Sequence, residues 1–343
     1  MASKLAEDPR IDPRIKAMFG ALEVMAAGDV ASREAILAEE ETEAAKARTA
    51  MIKALFDSMD SEAIAPSAGL RVQTERFRSE PDGNTIQVQF IRADNAERLP
   101  CVYYIHGGGM ERFSCFDGHY RAWGRIIASY GVAVAMVDFR NSILASSAPE
   151  VAPFPAGLND CVSGVKWLHS HAAMLNIDPE RIVVAGESGG GNLTLATGLK
   201  LKRDGDIGLI KGLYALCPYI AGEWPLPQNP SSSENNGILL ELHNNRGAMS
   251  YGIEEFRKHN PLAWPGFATT DDVKGLPPTM ISVNECDPLR DEGINFYRVL
   301  LHSGVRARCR QVMGTIHGTE IVAACCPDIS RDTASDLANF CKR

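Results

Sequence analysis

Ile182-Val-Val-Ala-Gly-Glu-Ser188-Gly-Gly-Gly-Asn-Leu193 is the stretch whose reading decides the fold. Three β-branched residues and an alanine run into Gly186-Glu187-Ser188-Gly189-Gly190, and an apolar helical pattern follows. A strand, a sharp turn and a helix in that order present a serine hydroxyl at the top of a sheet. Small residues two places before and two after the serine leave room for the turn. The helix behind it adds unpaired N–H groups and a partial positive charge. Gly-x-Ser-x-Gly is common by chance, so the strand before it and the helix after it carry the assignment. The rival reading is a glycine-rich turn that binds phosphate. Ser188 is the candidate nucleophile.

Outward from this point the chain alternates strand and helix. Strands are predicted at 71–77, 85–92, 101–105, 132–137, 182–185, 213–217, 279–283 and 307–312, with helices at 120–130, 157–175, 190–203 and 293–303. Short β-branched runs between amphipathic helices predict an α/β protein with a mostly parallel central sheet and helices on both faces. Two segments interrupt the pattern, 141–155 and 221–259; loops this long in a compact domain are often functional. The first 60 or so residues differ in texture. Ile15, Met18, Phe19 and Leu22 fall at helical spacing, and a second helix, opened by Asp29 or Ser32, would carry Ile36, Leu37, Met51, Ile52, Leu55 and Phe56. A helical pair ahead of the first strand packs over the sheet, so 1–65 is expected to form a cap, with part of 221–259 contributing, on a catalytic domain of 66–343. An independent interaction arm is the alternative.

A second glycine run, Tyr103-Tyr-Ile-His106-Gly107-Gly108-Gly109-Met110, also lies at a strand end. Three glycines let backbone approach a substrate oxygen without Cβ clashes. Acyl transfer passes through a tetrahedral oxyanion, and N–H donors held ready for it supply much of the catalysis. Gly107, Gly108 and Gly189 are the expected donors. His106 stands before the glycines and is expected to hydrogen-bond the loop rather than act as base, with Gly109 and Glu187 completing the two motifs.

A serine nucleophile needs a base and an orienting carboxylate, in the chain order Ser, Asp or Glu, His. Four histidines follow Ser188. His243 and His259 lie in the long insertion and His302 late in a helix. His317 follows the last strand in Met313-Gly-Thr-Ile-His317-Gly318, where it can reach across the sheet top. Four carboxylates compete for the acid: Glu285, Asp287, Asp291 and Glu292. The last two begin a helix, where negative charge is favoured in any case, which leaves Glu285 or Asp287.

Bulk properties narrow the class. Hydrophobic residues make up 45% of 343, enough for a large core, and the net charge of −8 offers no basic surface for nucleic acid. The basic stretch Arg306 to Arg310 alternates with apolar residues and reads as a strand. No apolar run reaches the roughly 18 residues of a membrane span, and Met1 to Arg14 lacks the apolar core of a secretory signal. Nine scattered cysteines without a C-x-x-C pair suggest reduced, buried thiols in a cytoplasm, with neither metal nor organic cofactor.

The pairing of His106-Gly-Gly-Gly109 with Gly186-Glu-Ser-Gly-Gly190 resembles the hormone-sensitive-lipase-like branch of the α/β-hydrolases, the bacterial family IV esterases. Pro153-Phe-Pro-Ala-Gly-Leu-Asn-Asp160, Ile177-Asp-Pro-Glu-Arg181, Asn260-Pro261-Leu262 and Asp287-Pro-Leu-Arg-Asp-Glu-Gly293 add to the resemblance, which spans roughly residues 75 to 320. It implies an α/β-hydrolase fold, a cytoplasmic carboxylesterase for short or medium acyl esters, a helical cap over the acyl pocket, frequent homodimers, and Asp287 as the triad acid. Four places depart from the family. Its usual Asp or Thr before the serine is Glu187, and its usual Ala after the serine is Gly189. Its Tyr-Arg-Leu-Ala-Pro stretch becomes Phe139-Arg-Asn-Ser with extra residues at 143–151, and the aromatic after the His-Gly pair becomes Thr319. Two other activities occur on such folds, since fold does not fix reaction: a small-molecule receptor that has lost the base, and a dehydratase. The presence of His317 argues against the receptor.

Overall fold

The computed structural model describes residues 3–22, 24 and 26–343. Eight strands form one sheet: β1 (Leu70–Arg78), β2 (Thr85–Ala93), β3 (Leu99–Ile105), β4 (Ala133–Asp138), β5 (Ile177–Glu187), β6 (Gly212–Leu216), β7 (Thr279–Asn284) and β8 (Ala307–Val312). Their order is β1-β2-β4-β3-β5-β6-β7-β8. β2 runs antiparallel to β1 and to β4, and every other neighbouring pair is parallel.

Side-chain period sorts the strands into two apolar layers. On β3, Cys101, Tyr103 and Ile105 face one layer while Val102 and Tyr104 face the other. On β5, Ile182 and Val184 oppose Val183 and Ala185 in the same way. Helices Ala156–Ser170, Gly189–Asp204 and Arg290–His302 cover the first face, and Gly118–Ala128 and Pro327–Lys342 cover the second. β3, β4, β6 and β7 are buried along their whole length, as expected of strands covered on both faces. Each fully buried Val, Ile, Leu or Phe contributes about 1.5–3 kcal/mol. The basic stretch near 306–310 runs into β8, an edge strand whose exposed residues are Arg308 and Gln311.

The helices depart from expectation in three places. The single helix expected at 157–175 stops at Ser170, turns at His171 and resumes for one turn as Ala172–Leu175. The second N-terminal helix divides into Arg33–Glu40 and Glu43–Asp57, because the Thr42 side chain caps the amide of Ala45 and starts a new helix. The long helix Pro327–Lys342 was not anticipated. It buries the small residues Ala334, Ala338 and Cys341 along with Leu337.

The N-terminal segment packs in two separate pieces rather than as one pair. Leu5, Ile11, Ile15 and Phe19 join Ile238, Cys286, Ile316, Cys325 and Cys326 in a small apolar cluster beside the β7 and β8 loops. The 33–57 piece lies elsewhere, over the glycine loop after β3. There Glu40 pairs with Arg112 at 3.1 Å, Phe56 packs on Phe113 and His119, and Arg33 bonds the carbonyl of Ser142. Among the described residues no helix is long and apolar enough to cross a membrane.

Candidate active site

β5 ends at Glu187 and a helix begins at Gly189, which leaves Ser188 alone in the turn at φ 55° and ψ −119°. That is a left-handed backbone for a residue with a Cβ, and such strain costs about 1–3 kcal/mol. Flanking contacts hold it. The Ser188 amide donates to Leu216 O at 2.9 Å, and the amides of Asn192 and Tyr219 donate to Ser188 O at 3.0 Å. The small neighbours are obligatory. A Cβ on Gly186 would stand 2.5 Å from the carbonyl oxygen of Ile105, and one on Gly190 only 2.0 Å from it.

Asp287 follows β7 and His317 follows β8, so adjacent parallel strands deliver the two side chains to one rim. His317 Nδ1 lies 2.7 Å from Asp287 Oδ2, and Asp287 Oδ1 accepts the Leu289 amide at 2.9 Å. Asp287 is wholly buried. Its three rivals are engaged elsewhere. Glu285 accepts the Gly314 amide, Asp291 the Ser231 amide, and Glu292 the amides of Ile220 and Ala221 and the indole of Trp224. The other downstream histidines also stand apart. His243 contacts the Ser232 carbonyl, His259 stacks on Phe267, and His302 is exposed. Burial favours a neutral His317 imidazole, but the Asp287 carboxylate and then Cys217 outweigh it and raise its proton affinity well above the usual histidine range.

Cys217 beside this pair was not singled out in the sequence. A Cys-Pro pair after a strand carries no distinctive signal. Its thiol lies against His317, and burial pushes it up to about 11, so it stays protonated at neutral pH. The backbone contacts of Leu216 and Tyr219 to Ser188 bracket Cys217, which places the imidazole next to the segment pinned to the serine. Ser188 Oγ has no hydrogen-bond partner among the described residues. Catalytic hydrogen bonds often close only when substrate binds. Cys217, Asp287 and His317 are also a grouping with metal-ligand chemistry, their ligand atoms within 4.8 Å of one another. Two ligands of one tetrahedral zinc ion stand about 3.4 Å apart, given metal–ligand distances near 2.1 Å. At 2.7 Å, Asp287 and His317 are instead hydrogen-bonded.

The glycine loop after β3 corrects one expected role. The Gly107 amide donates to Glu187 Oε1 at 2.6 Å and to the Tyr120 hydroxyl at 2.8 Å. It is therefore occupied and cannot serve as an oxyanion donor. The amides of Gly108 and Gly109 have no acceptor among the described residues, and that of Gly189 opens a helix, where no intrahelical acceptor exists. Gly189 faces this loop closely, since a Cβ on it would stand 2.8 Å from Gly109 N and 2.5 Å from Met110 N. His106 is buried; its Nδ1 lies 3.0 Å from Gly107 O and its ring stacks on Phe139 at 4.3 Å. Burial lowers its proton affinity and keeps it neutral. The extra segment near 143–151 reaches the same loop. Ser142 N donates to Met110 O and Leu144 N to Glu111 O.

The fold is the α/β-hydrolase fold: a mostly parallel eight-stranded sheet with a strained serine between β5 and its helix, and an Asp–His pair from β7 and β8. The family model for that fold matches residues 102–321. Carboxylesterase NlhH of Mycobacterium tuberculosis is 30% identical over 245 residues, 71% of this chain and 73% of that one. An α/β hydrolase of Acanthamoeba polyphaga mimivirus is 31% identical over 228 residues, which span 65% of this chain and 62% of the viral protein. The structure of esterase Est22 with p-nitrophenol is 66% identical at a TM-score of 0.97, covering 99% of each chain. Brefeldin A esterase, described as a bacterial homologue of human hormone-sensitive lipase, is 34% identical at a TM-score of 0.86, covering 98% of this chain and 94% of its own. The chain belongs to the α/β-hydrolase family, in its hormone-sensitive-lipase-like branch of serine ester hydrolases.

Proposed function

We propose that the protein hydrolyses carboxylic esters of short to medium acyl chains through Ser188, His317 and Asp287. The observation that carries this reading is the 2.7 Å bond from His317 to buried Asp287, beside the segment that grips the strained Ser188 turn. Ser188 Oγ bonds to the ester carbonyl carbon as its proton passes to His317 Nε2. The carbonyl oxygen becomes an oxyanion, received by the amides of Gly108, Gly109 and Gly189. The tetrahedral intermediate collapses, the alcohol leaves with the proton from His317, and water then hydrolyses the acyl-enzyme by the same route. Asp287 fixes the imidazole tautomer and stabilises its charged form. Residues 1–65 serve as the cap, the 33–57 piece covering the oxyanion loop.

The preference for shorter chains has a packing rationale. Tyr219, Trp224, Trp264 and Tyr251 form one buried aromatic cluster, with Tyr219 stacked on Trp224 at 4.6 Å. They begin two residues beyond Cys217, and on this reading they bound the acyl site and favour shorter chains. Among the relatives, Est22 has been solved with p-nitrophenol and as a serine-to-alanine variant at its own position 188. A p-nitrophenyl ester series from acetate to palmitate tests the reading. Activity should peak at short chains, and Ser188→Ala should lose at least a thousandfold. A fluorophosphonate should label Ser188, as read by peptide mass. Full activity in the Ser188→Ala variant, or labelling at another residue, overturns the assignment.

A further inference from the structure

Glu187 is the one carboxylate next to the candidate nucleophile, and the chemistry above gives it no task. Strand period points it to the face of Val183 and Ala185, where Tyr104 and Tyr120 also lie. Its side chain is 2% exposed. Oε1 accepts the Gly107 amide at 2.6 Å and the Tyr120 hydroxyl, and Oε2 accepts the Tyr104 hydroxyl. The fit is close. A Cβ on Gly107 would stand 2.4 Å from Oε1. The carboxylate therefore joins two segments 80 residues apart, the serine turn and the glycine loop.

We propose that Glu187 is a positioning residue: held by Tyr104 and Tyr120, its carboxylate fixes the Gly107 peptide so that the next two amides, Gly108 and Gly109, face the carbonyl that Ser188 attacks. The proposal rests on the ester-hydrolase reading of Ser188. An ionised carboxylate accepts all three donors. A protonated one must itself donate from one oxygen, so one tyrosine contact has to reverse and the charge that holds the Gly107 amide is gone. Tyr120 and Tyr104 are neutral donors, and among the described residues no Lys, Arg or His forms an ion pair with Glu187. Behind Tyr120 stand His106 and His119, both held uncharged by burial, and Asp117, whose proton affinity burial raises. Burial pushes Glu187 up to about 7 against the pull of Tyr104 and Tyr120, so its charge changes within the working range of an esterase.

The sign follows. Activity falls with pH as Glu187 takes up a proton, on top of the loss caused by protonating His317. The wild-type acid limb of log(kcat/KM) should be steeper than one over the range in which Glu187 titrates. Glu187→Gln carries no charge at any pH and presents an NH2 group where one tyrosine donates to the carboxylate. Its kcat should fall about 10- to 100-fold, with KM for p-nitrophenyl butyrate within about twofold and the acid slope reduced to one; losing an oxyanion donor outright costs about 10²–10³-fold. Tyr120→Phe removes one donor to the charged form and should move the limb to higher pH. Glu187→Asp, shorter by one bond of about 1.5 Å, should not restore kcat. A Glu187→Gln enzyme with wild-type kcat and an unchanged slope overturns the proposal, as does a Tyr120→Phe enzyme whose acid limb stays in place. Ser188→Ala, assayed in parallel, separates the two ideas: if it stays active the ester-hydrolase reading fails, whatever Glu187 does.

Discussion

Asp287→Asn tests the acid–base pair most sharply, because the structure dictates how the amide must sit. Asp287 Oδ1 accepts the Leu289 amide at 2.9 Å, so the carboxamide oxygen takes that place. Its NH2 group then faces His317 Nδ1, now 2.7 Å from Oδ2. Two donors cannot share that contact. Nδ1 must become the acceptor, the proton moves to Nε2, and the imidazole can no longer take the proton of Ser188. The variant also loses the charge that stabilises an imidazolium. At 2.7 Å and an effective dielectric of about 20, that attraction is roughly 6 kcal/mol. Each 1.36 kcal/mol is tenfold in rate, so the ceiling lies between four and five decades. The amide dipole returns part of this, which leaves a fall in kcat of about a thousand- to ten-thousandfold with KM little changed. The assay is p-nitrophenyl butyrate hydrolysis from pH 6 to 9, with circular dichroism to check the fold. A kcat within tenfold of wild type across that range would refute the role of Asp287.

Three further outcomes follow from the same geometry. Gly107→Ala should lower Tm and abolish activity, since its Cβ would strike Glu187 Oε1, whereas Gly109→Ala, at φ 67° with nothing nearer than 3.8 Å, should cost only about 1–2 kcal/mol of strain in thermal melts. Asp160 is buried and binds Arg140 through Nε and Nη2, each at 2.9 Å, with Ser79 as a further donor. Asp160→Ala leaves that arginine without its buried partner and should cost about 3–5 kcal/mol, read as a lower midpoint in denaturant. Eight of the nine free cysteines are buried and Cys309 is half-buried, so Ellman's reagent should find at most one fast thiol in native protein and nine after denaturation.

Much of the catalytic layout was legible because it depends on local pattern. Ile182 to Ser188 reads as a strand running into a turn, and the same period that builds β5 fixes the face on which Glu187 lies. The Asp–His pairing was less local. Chain order narrowed the base to His317, but Glu285 and Asp287 remained equivalent until the family resemblance, and the contact itself joins loops 30 residues apart. Gly107 was misassigned for a plain reason. Three successive glycines do not say which amide is already spoken for, and its acceptor lies 80 residues away. The helix Pro327–Lys342 escaped notice because its buried stripe sets one leucine among Ser330, Thr333, Ala334, Ala338 and Cys341, small residues that are weak in any hydropathy pattern. The break at Thr42 was hidden inside an acidic run that reads as uninterrupted solvated helix.

The cluster formed by Leu5, Ile11, Ile15 and Phe19 on Cys286 and Ile316 links the first residues of the chain to the neighbours of Asp287 and His317. Those contacts span roughly three hundred positions, the kind of closure that forms late in folding. A nascent chain would thus synthesise Ser188 long before Asp287 and His317 could be held in place. Trimming a few amino-terminal turns, or fusing a bulky tag against Leu5, should disturb Asp287 and His317 rather than the far side of the molecule.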